Sequence, residues 1–179
     1  MPTLFETFKA RAEAVSAEVH RVATRAAARA FILELLRQEQ SSAVWVGGSL
    51  LDGVDRVVLA AQVPGLSFDV TTDSAEKARV GISQVEWAIA NTGTLITDAA
   101  PVERRLASAL PVIHVAVLPT DAVLPDMAAA FARIHPSRCG YISLITGPSR
   151  TADIERVLTI GVHGPSRLVI VFVDDLGSN

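Results

Sequence analysis

Two patterns of apolar and polar residues divide the chain into an N-terminal part and a longer remainder. In the first part, apolar side chains recur every three or four residues from Phe5 to Val22, and an Ala- and Leu-rich stretch continues to Leu36. This spacing predicts helix over residues 3–39, with a break near His20. Such helices can cover a sheet or mediate self-association, and the covering role is the preferred interpretation.

From residue 43 onward, short apolar runs alternate with segments of helical periodicity. The runs predict strands, two of which form a hairpin around a turn at 91–93. The predicted strands cover residues 43–46, 68–70, 80–83, 87–90, 94–96, 112–118, 141–145 and 168–173, and the predicted helices cover 49–62, 101–110, 122–134 and 151–160. This alternation is typical of an α/β domain with a mostly parallel sheet. At 179 residues the chain fits a single domain, in which residues 1–39 are an N-terminal helical segment.

Composition and charge exclude several classes of function. The net charge of −3 comes with scattered basic residues, so no nucleic-acid partner is expected. No apolar run reaches the roughly 18 residues of a membrane span, and the N-terminus lacks an export signal, so the expected location is cytoplasmic. Cys139 is the only cysteine, which excludes an intrachain disulfide and a Cys-ligated cluster. The four histidines lack metal-ligand spacing and no Gly-rich nucleotide motif is present, so neither a metal nor a cofactor is expected.

The segment 145–155 combines an apolar run, a Gly-Pro break and a helix-like restart. Its polar and glycine residues are Thr146, Gly147, Ser149, Arg150, Thr151 and Asp153. A strand that turns into a helix through such residues presents unpaired N–H groups, and Arg150 adds a guanidinium, so a phosphate or carboxylate site is predicted. A cation at the positive end of a helix is unfavourable unless an anion compensates it. Asp153 is the internal alternative to a ligand. For Ser149, Thr151 and Asp153 taken alone, helix capping is the preferred explanation, and Arg150 is what favours a ligand.

Three segments are expected at the carboxyl edge of the sheet, where open parallel sheets bind ligands: 118–121, 146–151 and 174–175. A second candidate is the turn formed by Thr92, Gly93 and Thr94, which fits a ligand site and a plain turn equally well.

Two histidines are assigned structural rather than chemical roles. The predicted helix carries His163 about 15 Å from Arg150, to the opposite edge of the sheet, so an interface or structural role is preferred to catalysis. His114 lies inside an apolar strand and is expected to be a satisfied core histidine. No catalytic residue is assigned.

Four strings of residues resemble the LutC/YkgG family of lactate-utilisation proteins, which share the LUD domain. They are Gly81–Ser83, Ala88–Thr94, Thr146–Glu155 and Gly161–Pro165, and the resemblance spans about residues 40–175. It implies a three-layer α/β/α fold, similar to the superfamily of glucosamine-phosphate deaminases, ribose-phosphate isomerases and CoA transferases (the NagB/RpiA/CoA transferase-like fold). Residues 40–179 are accordingly expected to form a LUD-type α/β domain.

The resemblance also implies a role in the oxidation of L-lactate to pyruvate together with iron–sulfur partner proteins. With only Cys139, the chain is similar to the short, cluster-free member of such an assembly. Arg150 suits a small carboxylate, because a guanidinium binds that group in a bidentate manner. The alternatives are a free-standing enzyme acting on a sugar phosphate or acyl-CoA, and a non-catalytic scaffold whose Ser149–Arg150 loop docks a carboxylate of a partner. Whether the isolated chain is an enzyme stays open.

Overall fold

The computed structural model describes residues 1–134, 139–152, 158–160 and 164–177, with the backbone alone at 151, 152 and 158–160. Its helices and strands, in chain order, are α1 (Leu4–Ala14), β1 (Glu18–Val22), α2 (Arg25–Glu39), β2 (Ala43–Trp45), α3 (Arg56–Ala60), β3 (Leu66–Ser67), α4 (Thr72–Lys77), β4 (Val80–Gln84), β5 (Trp87–Ile89), β6 (Thr94–Asp98), α5 (Val102–Ala109), β7 (Ile113–Pro119), β8 (Val123–Leu124), α6 (Met127–Arg133), β9 (Ile142–Ile145), β10 (Arg150–Ala152), β11 (Leu158–Ile160) and β12 (Arg167–Val173). No helix within these ranges is both long and apolar enough to cross a bilayer.

The main sheet has six parallel strands in the order β1-β12-β7-β4-β2-β3. Residues 168–173 of β12 are all buried, because layers cover both faces of the sheet. Val169, Val171 and Val173 pack with α2 and α3, whereas Leu168, Ile170 and Phe172 pack with α1. A parallel strand buried on both faces reads as a continuous apolar run, which is why this strand was predictable.

Two layers of helices enclose the main sheet. Helices α2 and α3 cover one face, and α1, α4 and α5 contribute to the apolar clusters on the other. The same second face carries a four-stranded sheet in the order β8-β5-β6-β9. The α/β prediction with three layers and a mostly parallel sheet is therefore confirmed.

The predicted hairpin is present, since β5 and β6 pair antiparallel on either side of the turn at residues 91–93. The strand predicted at 141–145 is also present as β9, but it pairs antiparallel with β6 in the smaller sheet. It is therefore not one of the parallel strands whose carboxyl ends meet at one edge. The segment that follows β9 consequently does not begin at that edge.

The helix predicted over residues 3–39 is wrong in its middle. Ser16, with a φ of +69°, follows α1, and β1 then joins the edge of the main sheet beside β12. Val15, Val19 and Val22 fit a three- to four-residue spacing, which favoured a helix in the sequence. The β-branched side chains of Val19 and Val22 suit an extended strand better, and tertiary pairing of β1 with β12 decides between the two.

The helix predicted over residues 151–160 is also wrong. Arg150–Ala152 and Leu158–Ile160 are antiparallel strands that pair with each other, with Arg150 opposite Ile160. Residues 153–157 lie outside the described residues. Cross-strand pairing satisfies the backbone groups that a helix would have paired within itself.

Three shorter predictions need adjustment of their bounds. The segment 49–62 is a 3₁₀ turn followed by α3, because Gly53 between them has a φ of +70°. The helix predicted from residue 122 begins only at Met127, after Pro125, with the Asp126 carboxylate accepting a hydrogen bond from the Ala129 N–H at 2.8 Å. The short strand predicted at 68–70 lies at 66–67 instead.

Candidate functional site

The Gly147–Arg150 segment lies at the amino edge of the main sheet, not at the predicted carboxyl edge. The backbone N–H of Ser149 donates to the carbonyl oxygen of Pro165 at 2.8 Å, and Pro165 lies just before β12 begins. Arg150 reaches the turn that precedes β1. The correction follows from β9, whose membership of the smaller sheet delivers the chain to the opposite side of the parallel strands.

Arg150 binds the C-terminal end of a helix rather than the N-terminal end. Its Nη2 donates to the carbonyl oxygen of Val15, the C-cap of α1, at 2.9 Å, and to Oγ of Ser16 at 2.6 Å. The C-terminus is the negative end of the helix dipole, so a cation is stabilising there without any bound anion. The electrostatic reason for expecting a ligand is therefore absent. The guanidinium is nevertheless exposed, and both of these bonds end on uncharged oxygens.

The two predicted threonine clusters meet in space. Oγ1 of Thr94, at the start of β6, lies 2.8 Å from Oγ1 of Thr146, which follows β9. Thr94 is buried and Thr146 is exposed, while Thr92 is exposed in the hairpin turn. The structure thus places the 92–94 turn and the 146–150 segment side by side, as the antiparallel pairing of β6 with β9 requires.

The glycines of these two segments both pack against the end of α1. Gly93 has a φ of +68°, and a Cβ built on it would lie 2.5 Å from the backbone nitrogen of Ala12. Gly147 has a φ of +75°, and its Cβ would lie 2.7 Å from the carbonyl oxygen of Val15. Each position needs glycine twice, for its left-handed backbone and for the space that the helix backbone occupies.

Three of the predicted positions lie wholly or partly outside the described residues. The side chain of Thr151 is not described, although its backbone belongs to β10. Asp153 and His163 lie outside the described residues. The pairing of Arg150 with Asp153 and the structural role of His163 therefore stay predictions.

The carboxyl edge of the sheet does bring together two of the three predicted segments. Oγ1 of Thr120 donates to Oδ1 of Asp174 at 2.7 Å, and Nε of Arg21 donates to the same oxygen at 2.8 Å. These hydrogen bonds, from Arg21 first and Thr120 second, hold the pKa of the exposed Asp174 carboxyl below its ordinary value. Arg21 was not predicted, because the strand that carries it was interpreted as helix.

The strand order reverses between β2 and β4, where ligands of open α/β sheets commonly bind. Here a side chain of the protein occupies the crevice. Oε1 of Gln84 accepts hydrogen bonds from the N–H and the hydroxyl of Ser49 at 2.8 and 3.0 Å. A Cβ on Gly48 would come within 2.6 Å of that oxygen. The sequence signal for this contact is the Gly47-Gly48-Ser49 string, which directly follows an apolar strand.

His114 is buried, as predicted, but only one of its two ring nitrogens has a hydrogen-bond partner in the described part of the chain. It is 1 % exposed, and its Nε2 lies 2.9 Å from Oγ of Ser83, which is 2 % exposed. Nδ1 has no hydrogen-bond partner in the described part of the chain. Burial disfavours the charged imidazolium and lowers the pKa of His114 to about 4. The histidine is therefore neutral near pH 7, and both it and the Ser83 side chain are buried.

A model of the LUD domain matches residues 5–173 of the chain. The chain belongs to the LUD domain family. The match extends the resemblance recognised in residues 40–175 to include α1 and β1, and the predicted family is confirmed. This agrees with the packing of Gly93 and Gly147 on α1, because the N-terminal helix is part of the domain that these motifs build.

Several curated relatives of this LUD chain carry the name "Lactate utilization protein C". The protein of Geobacillus thermodenitrificans is 39% identical over 112 residues, which cover 58% of this chain and 45% of that protein. The protein of Halalkalibacterium halodurans is 32% identical over 109 residues, covering 58% and 47%. The chain thus spans about half the length of the curated relatives it matches.

A solved structure with the same fold is the crystal structure of a DUF162 family protein from Deinococcus radiodurans. The TM-score is 0.65 and the identity is 21%, with 95% of this chain and 96% of that chain covered. At this identity the likeness establishes the α/β fold of the LUD chain over nearly its whole length and nothing about its chemistry.

Proposed function

We propose that this LUD chain acts in lactate utilisation, as a cluster-free subunit of an assembly that oxidises L-lactate to pyruvate. The observation that carries the proposal is the family match over residues 5–173, together with relatives named "Lactate utilization protein C" at 32–39% identity. Because the chain spans about half of those relatives, the activity of the whole assembly is part of the proposal.

Iron–sulfur partner proteins carry the electrons in this proposal. The oxidation of lactate to pyruvate releases two electrons, and an acceptor must take them. A cysteine-ligated cluster needs about four thiolates, and this chain has Cys139 alone. The contribution of the chain is then to bind a reactant or to organise its partners.

The reactant-binding form of the proposal assigns a small carboxylate, or a phosphate, to the amino-edge site. The residues are Thr92, Gly93, Thr94, Thr146, Gly147, Ser149, Arg150, Thr151 and Asp153. What supports it is the exposed guanidinium of Arg150, whose bonds to Val15 and Ser16 use Nη2 and end on neutral oxygens. Both bidentate edges of a guanidinium include Nη2, so a carboxylate would instead accept a single hydrogen bond from Nη1 or from Nε.

A scaffold is the second candidate, and the contacts of Arg150 favour it. In this form the guanidinium is a structural cap of α1, and the Ser149–Arg150 segment presents a surface to a partner. The two forms differ in one respect, since only the first requires a small anion to bind the chain on its own.

The test of the subunit role uses the native host. The gene for this chain is deleted, and growth on L-lactate is compared with growth on an unrelated carbon source. We expect a loss of growth on L-lactate only, and co-purification of the tagged native chain with iron–sulfur proteins that show cluster absorbance. Normal growth on L-lactate together with the absence of any such partner would remove the proposal.

The test of the carboxylate site uses the purified chain. L-lactate, pyruvate and inorganic phosphate are titrated separately into the native chain, Arg150→Ala and the control Lys9→Ala, with binding followed by calorimetry. Loss of a charge-assisted hydrogen bond predicts affinity about tenfold weaker or worse in Arg150→Ala and unchanged affinity in Lys9→Ala. Binding that is equal in all three proteins would place the ligand elsewhere. Partner association without any anion binding would favour the scaffold.

A further inference from the structure

A small cavity lies where two of the recognised motifs meet the core of the main sheet. Its volume is about 30 Å³, counted as the space open to the centre of a water molecule. Ser108 of α5, His114 of β7 and Ser149 contribute polar groups to its lining, and Ile145, Pro148 and Leu168 contribute apolar ones. Pro165, whose carbonyl oxygen holds the N–H of Ser149, lies at the same place.

His114, which lines this cavity, leaves one ring nitrogen without a hydrogen-bond partner in the described part of the chain. Nε2 is engaged with Oγ of Ser83 at 2.9 Å, and Nδ1 is buried and unbonded among the described residues. A buried polar atom without a hydrogen bond destabilises the fold, and native proteins rarely leave one. If Ser83 donates to Nε2, Nδ1 carries the proton and needs an acceptor. If Ser83 accepts from Nε2, Nδ1 needs a donor.

We propose that this cavity is a binding site for an ordered water molecule that hydrogen-bonds Nδ1 of His114 and a serine hydroxyl, of Ser108 or Ser149. Water both donates and accepts, so it satisfies Nδ1 in either tautomer of the ring. A buried water occupies roughly 10–15 Å³ and needs two to four polar partners. The roughly 30 Å³ open to water centres admits at least one water, and Ser108, His114 and Ser149 line the cavity.

The proposed water joins β7, in the centre of the sheet, to one of two neighbours through hydrogen bonds. The neighbour is α5 if the serine is Ser108, and the 147–149 segment, which directly precedes Arg150, if it is Ser149. Through Ser149 the water would fix the position of the loop that carries the guanidinium. This inference stands on the cavity and the unpaired nitrogen, and it is independent of the proposed role in lactate utilisation.

A high-resolution crystal structure of the native protein tests the proposal directly. We expect a peak of electron density within about 2.7–3.2 Å of Nδ1 of His114, the usual range for such a hydrogen bond. A cavity without density, in maps that show buried waters elsewhere in the chain, would overturn the proposal. So would a serine hydroxyl bonded directly to Nδ1.

A solution experiment checks the same site without a crystal. Magnetisation transfer from water to the ring protons of His114 reports a long-lived bound water in the native protein. Ser149→Val places apolar volume in the cavity and should abolish the transfer, whereas Ser143→Val, on β9 and outside the cavity lining, should keep it. Absence of transfer in the native protein, or undiminished transfer in folded Ser149→Val, contradicts the proposal.

Discussion

Nη2 of Arg150 lies 2.9 Å from the carbonyl oxygen of Val15, so a residue near the C-terminal end of the domain caps the first helix. The same helix end receives Gly93 and Gly147, whose missing side chains leave room for its backbone. Two strings that identify the family therefore meet at one structural feature, the attachment of α1 to the sheets. A ligand bound by these residues would therefore lie where α1 attaches to the sheets.

Arg150→Ala should destabilise the fold by removing this cap. A hydrogen bond from a charged donor contributes about 1.5–3 kcal/mol, and a cation at a helix C-terminus about 0.3–1 kcal/mol. Because Arg150 is exposed, we expect a decrease of about 1–2 kcal/mol in the free energy of unfolding, measured by urea denaturation.

Lys9→Ala is the matched control for Arg150→Ala. Lys9 lies on the same helix, and its ammonium meets Glu13 only at 3.8 Å on the surface. Exposed pairs of this kind contribute about 0–1 kcal/mol, so its unfolding midpoint should scarcely move. Equal losses in the two variants would show that Arg150 acts only through its contribution to the net charge.

Gly93→Ala should cost more than its backbone conformation alone explains. The added Cβ would meet the backbone of Ala12 at 2.5 Å, so α1 must shift away from the hairpin turn. Gly53 is the control, because its φ of +70° is almost the same and nothing lies within 4 Å of its Cβ position. We expect a loss of about 1 kcal/mol in Gly53→Ala and about 3 kcal/mol in Gly93→Ala. Similar losses in the two variants would show that the contact with α1 does not contribute to the free energy of unfolding.

The central strands and the β5–β6 hairpin could be predicted from sequence because their signals are local. The apolar run of β12 needs burial on both faces, and the turn ending at Gly93 needs a positive φ. Strand β1 could not be separated from helix in the same way. Its two valines, Val19 and Val22, are three residues apart, a spacing that fits a helix and places them on opposite faces of a strand. The deciding contact is a parallel pairing with a strand about 150 residues away in the chain.

The candidate site was predicted as a set of residues but not as an arrangement. The sequence singles out Thr94, Thr146 and Arg150; the fold places Thr94 beside Thr146 and Arg150 at the end of α1. Their role in binding an anion stays a prediction. The prediction that the 146–151 segment lies at the carboxyl edge of the sheet was wrong. No local pattern indicates that β9 pairs with β6 rather than with the parallel strands. The choice of sheet is a tertiary property.

Gly81→Ala should be among the most damaging single changes in the chain. A Cβ at this position would lie 1.9 Å from the carbonyl oxygen of Ala107 and 2.8 Å from Cγ of Pro111, so β4 and α5 would have to separate. Overpacking a core typically costs about 1–3 kcal/mol and more where backbone must move. Thermal unfolding should show a markedly lower Tm or insoluble protein. Gly140→Ala, with open space around its Cβ position, should keep the native Tm.

Protonation of His114 should make the fold lose stability below neutral pH. Burial lowers the pKa of this histidine to about 4 in the folded protein, against an ordinary value of 6.5. Between those two pH values the unfolded chain binds the proton and the folded chain does not, so the free energy of unfolding falls as the pH falls from 6.5 toward 4. A difference of this size in pKa corresponds to roughly 3 kcal/mol in the free energy of unfolding over the whole interval.

Urea unfolding at pH 7 and pH 5 measures this decrease in the free energy of unfolding. His114→Gln cannot titrate, so its decrease over the same interval should be smaller by about 2 kcal/mol, and an equal decrease in both proteins would mean that other groups, not His114, set the pH dependence.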